Sequence, residues 1–205
     1  MTDIQAADQG GQDRARWNAR YEAAGYQPAF RPHPLALRML RAAGSELRPP
    51  AGPLLELACG PSGSALLAAA EGRPVIAVDV SDVALQLLTR QATARGLGQL
   101  VTVVEADLPS WRPDPDSYPL VLCTGYWEPE VFAMAAAAVQ PGGLLGWEAL
   151  TLAARRERPS LPERWCLRDG EPAELLPPAF RVLSQEDIGP APAARRRLLA
   201  RRDGD

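Results

Sequence analysis

The chain has 205 residues, 46% of them hydrophobic, a formal net charge of −3 and an isoelectric point of about 5.3. That length suits one domain with an ample core, and the mild acidity supplies no global field that would draw the chain to nucleic acid. No basic-then-apolar leader opens the sequence and no apolar stretch approaches a membrane span, so a cytoplasmic protein that meets neither membrane nor nucleic acid is expected.

Cys59, Cys123 and Cys166 are odd in number and widely spaced, and His33 is the single histidine, so neither disulfides nor a metal site is expected. Every basic residue is Arg, and with abundant Ala, Pro and Gly this reads as GC-rich coding bias and a bacterial source.

Residues 1–12 are polar and Gly/Gln-rich and read as a flexible N-terminal tail. Residues 13–205 read as a single domain. Helical spacing over 14–24 and 34–43, ended by Gly25 and Gly44, predicts two helices lying over a cleft as a lid, so 13–50 form lid elements; 48–53 is a turn. Over 51–150 short apolar runs alternate with helical patterns. Strands are predicted near 53–58, 74–79, 100–106, 118–124 and 143–150, and helices near 63–71, 82–96 and 129–139. Residues 151–205 hold a basic, Pro-broken stretch, a short helix over 170–176 and a closing strand pair near 180–183 and 195–200. Strand-helix alternation predicts a doubly wound α/β fold with a mostly parallel sheet, helices on both faces, and ligands beyond the strands' C-terminal ends.

The candidate ligand residues fall at those ends. Leu54-Leu-Glu-Leu-Ala58-Cys-Gly60-Pro-Ser-Gly63 is a strand running into a turn of small residues, where backbone can approach a ligand. Val75–Asp79 is a strand tipped by an acid able to hold both hydroxyls of a ribose. The spacing Ala58-x-Gly60-x-x-Gly63 also passes for a dinucleotide fingerprint, which would make the chain a nicotinamide-dependent oxidoreductase. Glu56 opposes this: a carboxylate beside the turn repels a pyrophosphate and welcomes an ammonium or sulfonium.

Glu56-Leu-Ala-Cys-Gly60 resembles the first motif of class I S-adenosylmethionine-dependent methyltransferases, with Ala58 replacing the usual first Gly. The likeness continues through Val101–Leu108, Tyr118–Thr124 and Gln140-Pro-Gly-Gly-Leu, and Trp17-Asn-Ala-Arg20-Tyr21 resembles a segment of the tellurite-resistance and thiopurine types. Together these stretches cover about 14–150, closest to the tellurite-resistance-like branch.

The resemblance implies a Rossmann-like sheet of seven strands, one of them antiparallel. S-adenosylmethionine is the implied cofactor, S-adenosylhomocysteine its product, and a small molecule the methyl acceptor. The implied cofactor residues are Trp17, Arg20, Tyr21, Glu56, Ala58, Cys59, Gly60, Gly63, Asp79, Val80, Asp107, Leu108 and Thr124. Val80 and Asp107 lie toward the adenine, and Arg20 or Tyr21 toward the methionine carboxylate. Ser81 is expected to cap the next helix. His33, Tyr126 and Trp127 are the candidate acceptor residues, and no catalytic residue is singled out. The lack of an acid/base pair argues for a sulfur, selenium, tellurium or carboxylate acceptor over an amine. The Arg runs 155–158 and 195–197 read as solvated faces, or as attraction for an anionic acceptor. A monomer or homodimer is expected, and a non-catalytic S-adenosylmethionine-binding protein is the remaining alternative.

Overall fold

The computed structural model describes residues 2–44 and 49–204, with side chains from residue 10 onward. It divides the chain into two compact units, residues 1–33 with 53–112 and residues 34–52 with 113–205.

In the first unit, helix α1 (Thr2–Glu22) precedes strand β1 (Leu54–Leu57), helix α3 (Gly63–Ala70), strand β2 (Val75–Asp79), helix α4 (Asp82–Ala94) and strand β3 (Val101–Glu105). The strands are parallel in the order β3-β2-β1, and the register Leu54↔Val75↔Val101 brings their C-terminal ends level. The turns beyond them are tied side by side: Cys59 N–H donates to the Val78 carbonyl at 3.0 Å and Ala106 N–H to the Asp79 carbonyl at 3.0 Å. Both crossover helices start where a serine satisfies an orphan N–H. Ser62 Oγ accepts from Ala65 N at 3.0 Å, and Ser81 Oγ, as expected, from Ala84 N at 3.1 Å.

In the second unit, helix α2 (Pro34–Ala43) precedes β4 (Tyr118–Thr124), α5 (Pro129–Ala138), β5 (Val139–Leu150), β6 (Phe180–Ile188) and β7 (Arg195–Arg202). The order is β4-β5-β7-β6, with β4 parallel to β5 and β7 running against both its neighbours. Short 3-10 helices form at Leu152–Arg156, Glu163–Trp165 and Ala173–Leu175, the last inside the short helix expected over 170–176. The fold is a mixed, mostly parallel seven-stranded sheet with helices.

The backbone is helical from Thr2, through the stretch expected as a tail. α2 packs on the second unit's sheet. Its stripe Leu35, Ala36, Met39 and Leu40 is buried, and Gly146 of β5 stands so close that an added Cβ would meet Met39 Sδ at 3.2 Å and Leu35 Cγ at 3.4 Å. That stripe belongs to the core of the second unit. Of the turn expected over 48–53, Arg48 lies outside the described residues.

Candidate cofactor site

Beyond Leu57 the chain turns back through two left-handed residues, Ala58 at φ +47° and Gly60 at φ +53°. A Cβ in that region costs about 1–2 kcal/mol, so Ala58→Gly is expected to raise the unfolding free energy by about 0.5–1 kcal/mol after the extra chain entropy of glycine. Urea denaturation at unchanged m checks this.

Two buried carboxylates brace the turn. Glu56, 2% exposed, accepts from Ser62 Oγ at 2.8 Å and 2.7 Å through its two oxygens, tying the end of β1 to the start of α3. Asp79, 7% exposed, accepts from Gly60 N–H at 2.8 Å through Oδ2 and from Ser81 N–H at 2.8 Å through Oδ1. A carboxylate has about four acceptor positions, so Asp79 keeps capacity for further donors while shaping the turn.

Burial pushes the Glu56 carboxyl up from 4.5 to about 7, against the Ser62 hydrogen bond that pulls it down. Burial also raises Asp79 against its backbone donors. Since the folded state of Glu56 holds its proton more tightly than the unfolded chain, its contribution to stability is complete below about pH 4.5 and is lost as pH rises through about 7. Thermal melts from pH 5 to 8 should therefore show stability falling across that window, and Glu56→Gln should flatten the fall.

The start of α3 is covered. An added Cβ on Gly63 would lie 2.3 Å from the Phe30 carbonyl oxygen and 2.4 Å from the Arg31 carbonyl carbon, and His33 N–H donates to Ser64 Oγ at 3.0 Å. Ser62 caps this helix end from within and the Phe30–Arg31 backbone lies against it, which disfavours a pyrophosphate there. Two buried carboxylates nearby oppose one further, so the donor set fits a cationic methionine end and not a dinucleotide.

α1 supplies the remaining neighbours. The Tyr21 hydroxyl lies 3.0 Å from where a Gly60 Cβ would stand, and burial, with Asp79 adding to it, pushes its pKa up. Trp17 stacks on Tyr21 at 6.0 Å, and the Arg16 and Arg20 guanidiniums each lie 5.4 Å from its ring centre. Asn18 accepts from Ser81 Oγ at 2.6 Å and donates to Asp82 at 2.7 Å; Arg14 donates to the Val80 carbonyl at 3.3 Å and pairs with Glu105 at 2.6 Å. A Cβ on Gly10 would come within 3.0 Å of the Asp107 carboxyl, and Leu108 beside it is buried.

The first unit thus gathers Tyr21, Glu56, Ala58, Cys59, Gly60, Gly63, Asp79, Val80, Asp107 and Leu108 around three adjacent strand ends. Arg20 is exposed on α1 against Trp17. In the second unit Thr124 ends β4, and the Tyr126 hydroxyl donates to Glu128 Oε2 at 2.7 Å. Trp127, 5% exposed, packs against Phe132 and Trp147 with centroids at 5.6 Å and 6.3 Å. The expected anionic attraction of Arg197 is also spent internally, on buried Glu148 at 2.8 Å. Sequence reasoning passed over Ser62, although a Pro-Ser pair ahead of a small apolar run is a cap signal. It passed over Gly10, Arg14 and Asn18 as well, for which no local pattern speaks.

Residues 54–143 match a family model described as a methyltransferase domain. The match spans under half of the chain and likens that range to methyltransferase domains. No curated protein sequence matches the chain. Magnesium protoporphyrin IX methyltransferase from Synechocystis PCC 6803, with bound S-adenosylhomocysteine, is 14% identical at a TM-score of 0.68, over 99% of this chain and 100% of that one. Geranyl diphosphate C-methyltransferase from Streptomyces coelicolor A3(2), with Mg2+, geranyl diphosphate and S-adenosyl-L-homocysteine, is 14% identical at 0.64, over 83% and 77%. A structure from work on converting a disulfide bond into a thioacetal group during echinomycin biosynthesis is 19% identical at 0.67, over 93% and 91%. At these identities what is shared is the Rossmann-like fold.

Proposed function

We propose that the protein transfers a methyl group from S-adenosylmethionine to a small-molecule acceptor whose reacting atom is already nucleophilic: sulfur, selenium, tellurium or a carboxylate oxygen. The cofactor supplies a methyl group already activated on a sulfonium. The observation that carries the reading is the pair of buried carboxylates, Glu56 and Asp79, bracing a left-handed turn beside a capped and covered helix start. Asp79 would hold the ribose hydroxyls with its remaining acceptor capacity. Val80 and Leu108 would flank the adenine with Asp107 at its edge, and the Ala58–Gly60 backbone would face the methionine end.

Thr124 remains our cofactor residue and Tyr126 our acceptor residue, the Tyr126 hydroxyl being engaged by Glu128. Positioning and exclusion of water then supply the acceleration, with no dedicated base. The Trp17–Tyr21 likeness to tellurite-resistance enzymes supports a chalcogen acceptor, and three cysteines outside any disulfide agree with a reducing cytoplasm. A monomer or homodimer remains our reading.

Methyl-transfer assays with thiols and chalcogen oxyanions test this. Glu128→Gln is expected to keep kcat within about threefold of wild type, since a group acting as general base contributes roughly 100-fold or more. Loss of turnover at unchanged S-adenosylhomocysteine affinity would make Glu128 a base and point to an amine or hydroxyl acceptor.

A further inference from the structure

We infer that one face of α1 is an intramolecular occupant of the nucleoside end of the site, so that cofactor binding requires this helix to lift. The inference rests on the cofactor residues assigned above. Gly10, Arg14, Asn18 and Tyr21 recur at helical spacing and meet those residues or their neighbours in order: Gly10 the Asp107 carboxyl, Arg14 the Val80 carbonyl, Asn18 the α4 start at Ser81 and Asp82 next to Val80, Tyr21 Gly60.

These contacts are direct. Asn18 reaches Ser81 Oγ at 2.6 Å, whereas an aromatic ring lying between two surfaces needs roughly 3.5 Å from each. At these contacts no layer remains between α1 and the turns that follow β2 and β3 for an adenosine to fill. The helix therefore stands in the ligand's place, where the sequence led us to expect a lid above it.

The attachment is also one that can release. From residue 10 to residue 22 no α1 side chain is fully buried, Trp17, Asn18 and Tyr21 being half-buried, and the Arg14–Glu105 ion pair is half exposed, a kind of contact that contributes little. Gly10 and Gly11 weaken the helix in its middle. Over its described side chains, residues 10–22, the helix is held by polar contacts and half-buried aromatic rings rather than by a buried apolar stripe, which places it at the low-stability, locally opening end of a fold. Because α1 and the cofactor would compete for the same groups, weakening either contact favours the other.

Limited trypsin digestion with added S-adenosylhomocysteine, paired with calorimetric affinity, tests this on the full chain. Trypsin has only arginines to cut, and the first three are Arg14, Arg16 and Arg20 of α1. The ligand is expected to speed cleavage there, and Asn18→Ala to bind it roughly tenfold more tightly than wild type. Gly10→Ala should also tighten binding: its Cβ presses on Asp107 while alanine strengthens the helix, so helicity by circular dichroism holds or rises. Slower cleavage with weaker binding by both variants would show α1 folding over the ligand and overturn the inference, as would equal affinities with unchanged cleavage. Failure of S-adenosylhomocysteine to bind any of the three proteins would instead overturn the cofactor assignment and the inference with it.

Discussion

Gly63→Ala is expected to lower the unfolding free energy by about 3 kcal/mol, the upper range for forcing a methyl into a filled space. The neighbours are backbone: the Phe30 carbonyl oxygen at 2.3 Å and the carbonyl carbons of Phe30 and Arg31 at 2.4 Å. They cannot rotate aside as a flexible side chain would. To admit the methyl, the 30–33 segment must leave the start of α3, breaking the His33 N–H to Ser64 bond of 3.0 Å. Gly98→Ala is the control, because its Cβ would meet only Thr93 Oγ1 at 3.6 Å and Thr93 Cα at 3.9 Å; a small gain from reduced chain entropy is expected there. Urea denaturation of both variants separates the cases, and equal stabilities would mean that the segment does not press on α3.

Asp79→Ala should act on stability and affinity together. Removing the carboxylate leaves the Gly60 and Ser81 N–H groups without acceptors in a buried place, at about 1–3 kcal/mol each, partly offset because burial already disfavours that charge. The expected net loss is roughly 2–3 kcal/mol by thermal or urea melts. Affinity for S-adenosylhomocysteine should fall at least about 100-fold, as two hydrogen bonds to a charged acceptor disappear. Ser62→Ala offers the contrast. It strips Glu56 of its hydroxyl partner and α3 of its cap, and its main effect should be on stability. If Asp79→Ala melts early yet binds S-adenosylhomocysteine like wild type, Asp79 is a brace for the turn and nothing more.

The strand-turn-helix-strand unit from Leu54 to Asp79 was legible because each local signal agreed with the rest: short apolar runs, a turn of small residues, and an acid at a strand tip. β4 appears over the residues predicted, Tyr118–Thr124. The role of α2 was not legible, because Leu35, Ala36, Met39 and Leu40 form the same apolar stripe whether a helix covers a cleft or a sheet. Trp127 follows β4 as an acceptor-site aromatic would, and only its packing between Phe132 and Trp147 assigns it to the core. α1 was the hardest. Arg14 and Asn18 hold it through hydrogen bonds to residues more than sixty positions away, and polar long-range contacts leave no periodic apolar trace to read.

Isothermal titration of the purified full chain with S-adenosylhomocysteine, beside the oxidised and reduced nicotinamide dinucleotides, tests the central claim most directly. The braced turn, the paired buried carboxylates and the covered start of α3 predict saturable one-to-one binding of S-adenosylhomocysteine and none of either dinucleotide. Binding of a dinucleotide in its place would contradict the account, because it would require a pyrophosphate to sit beside Glu56 and Asp79 at a helix end that Ser62 caps and the Phe30–Arg31 backbone lies against.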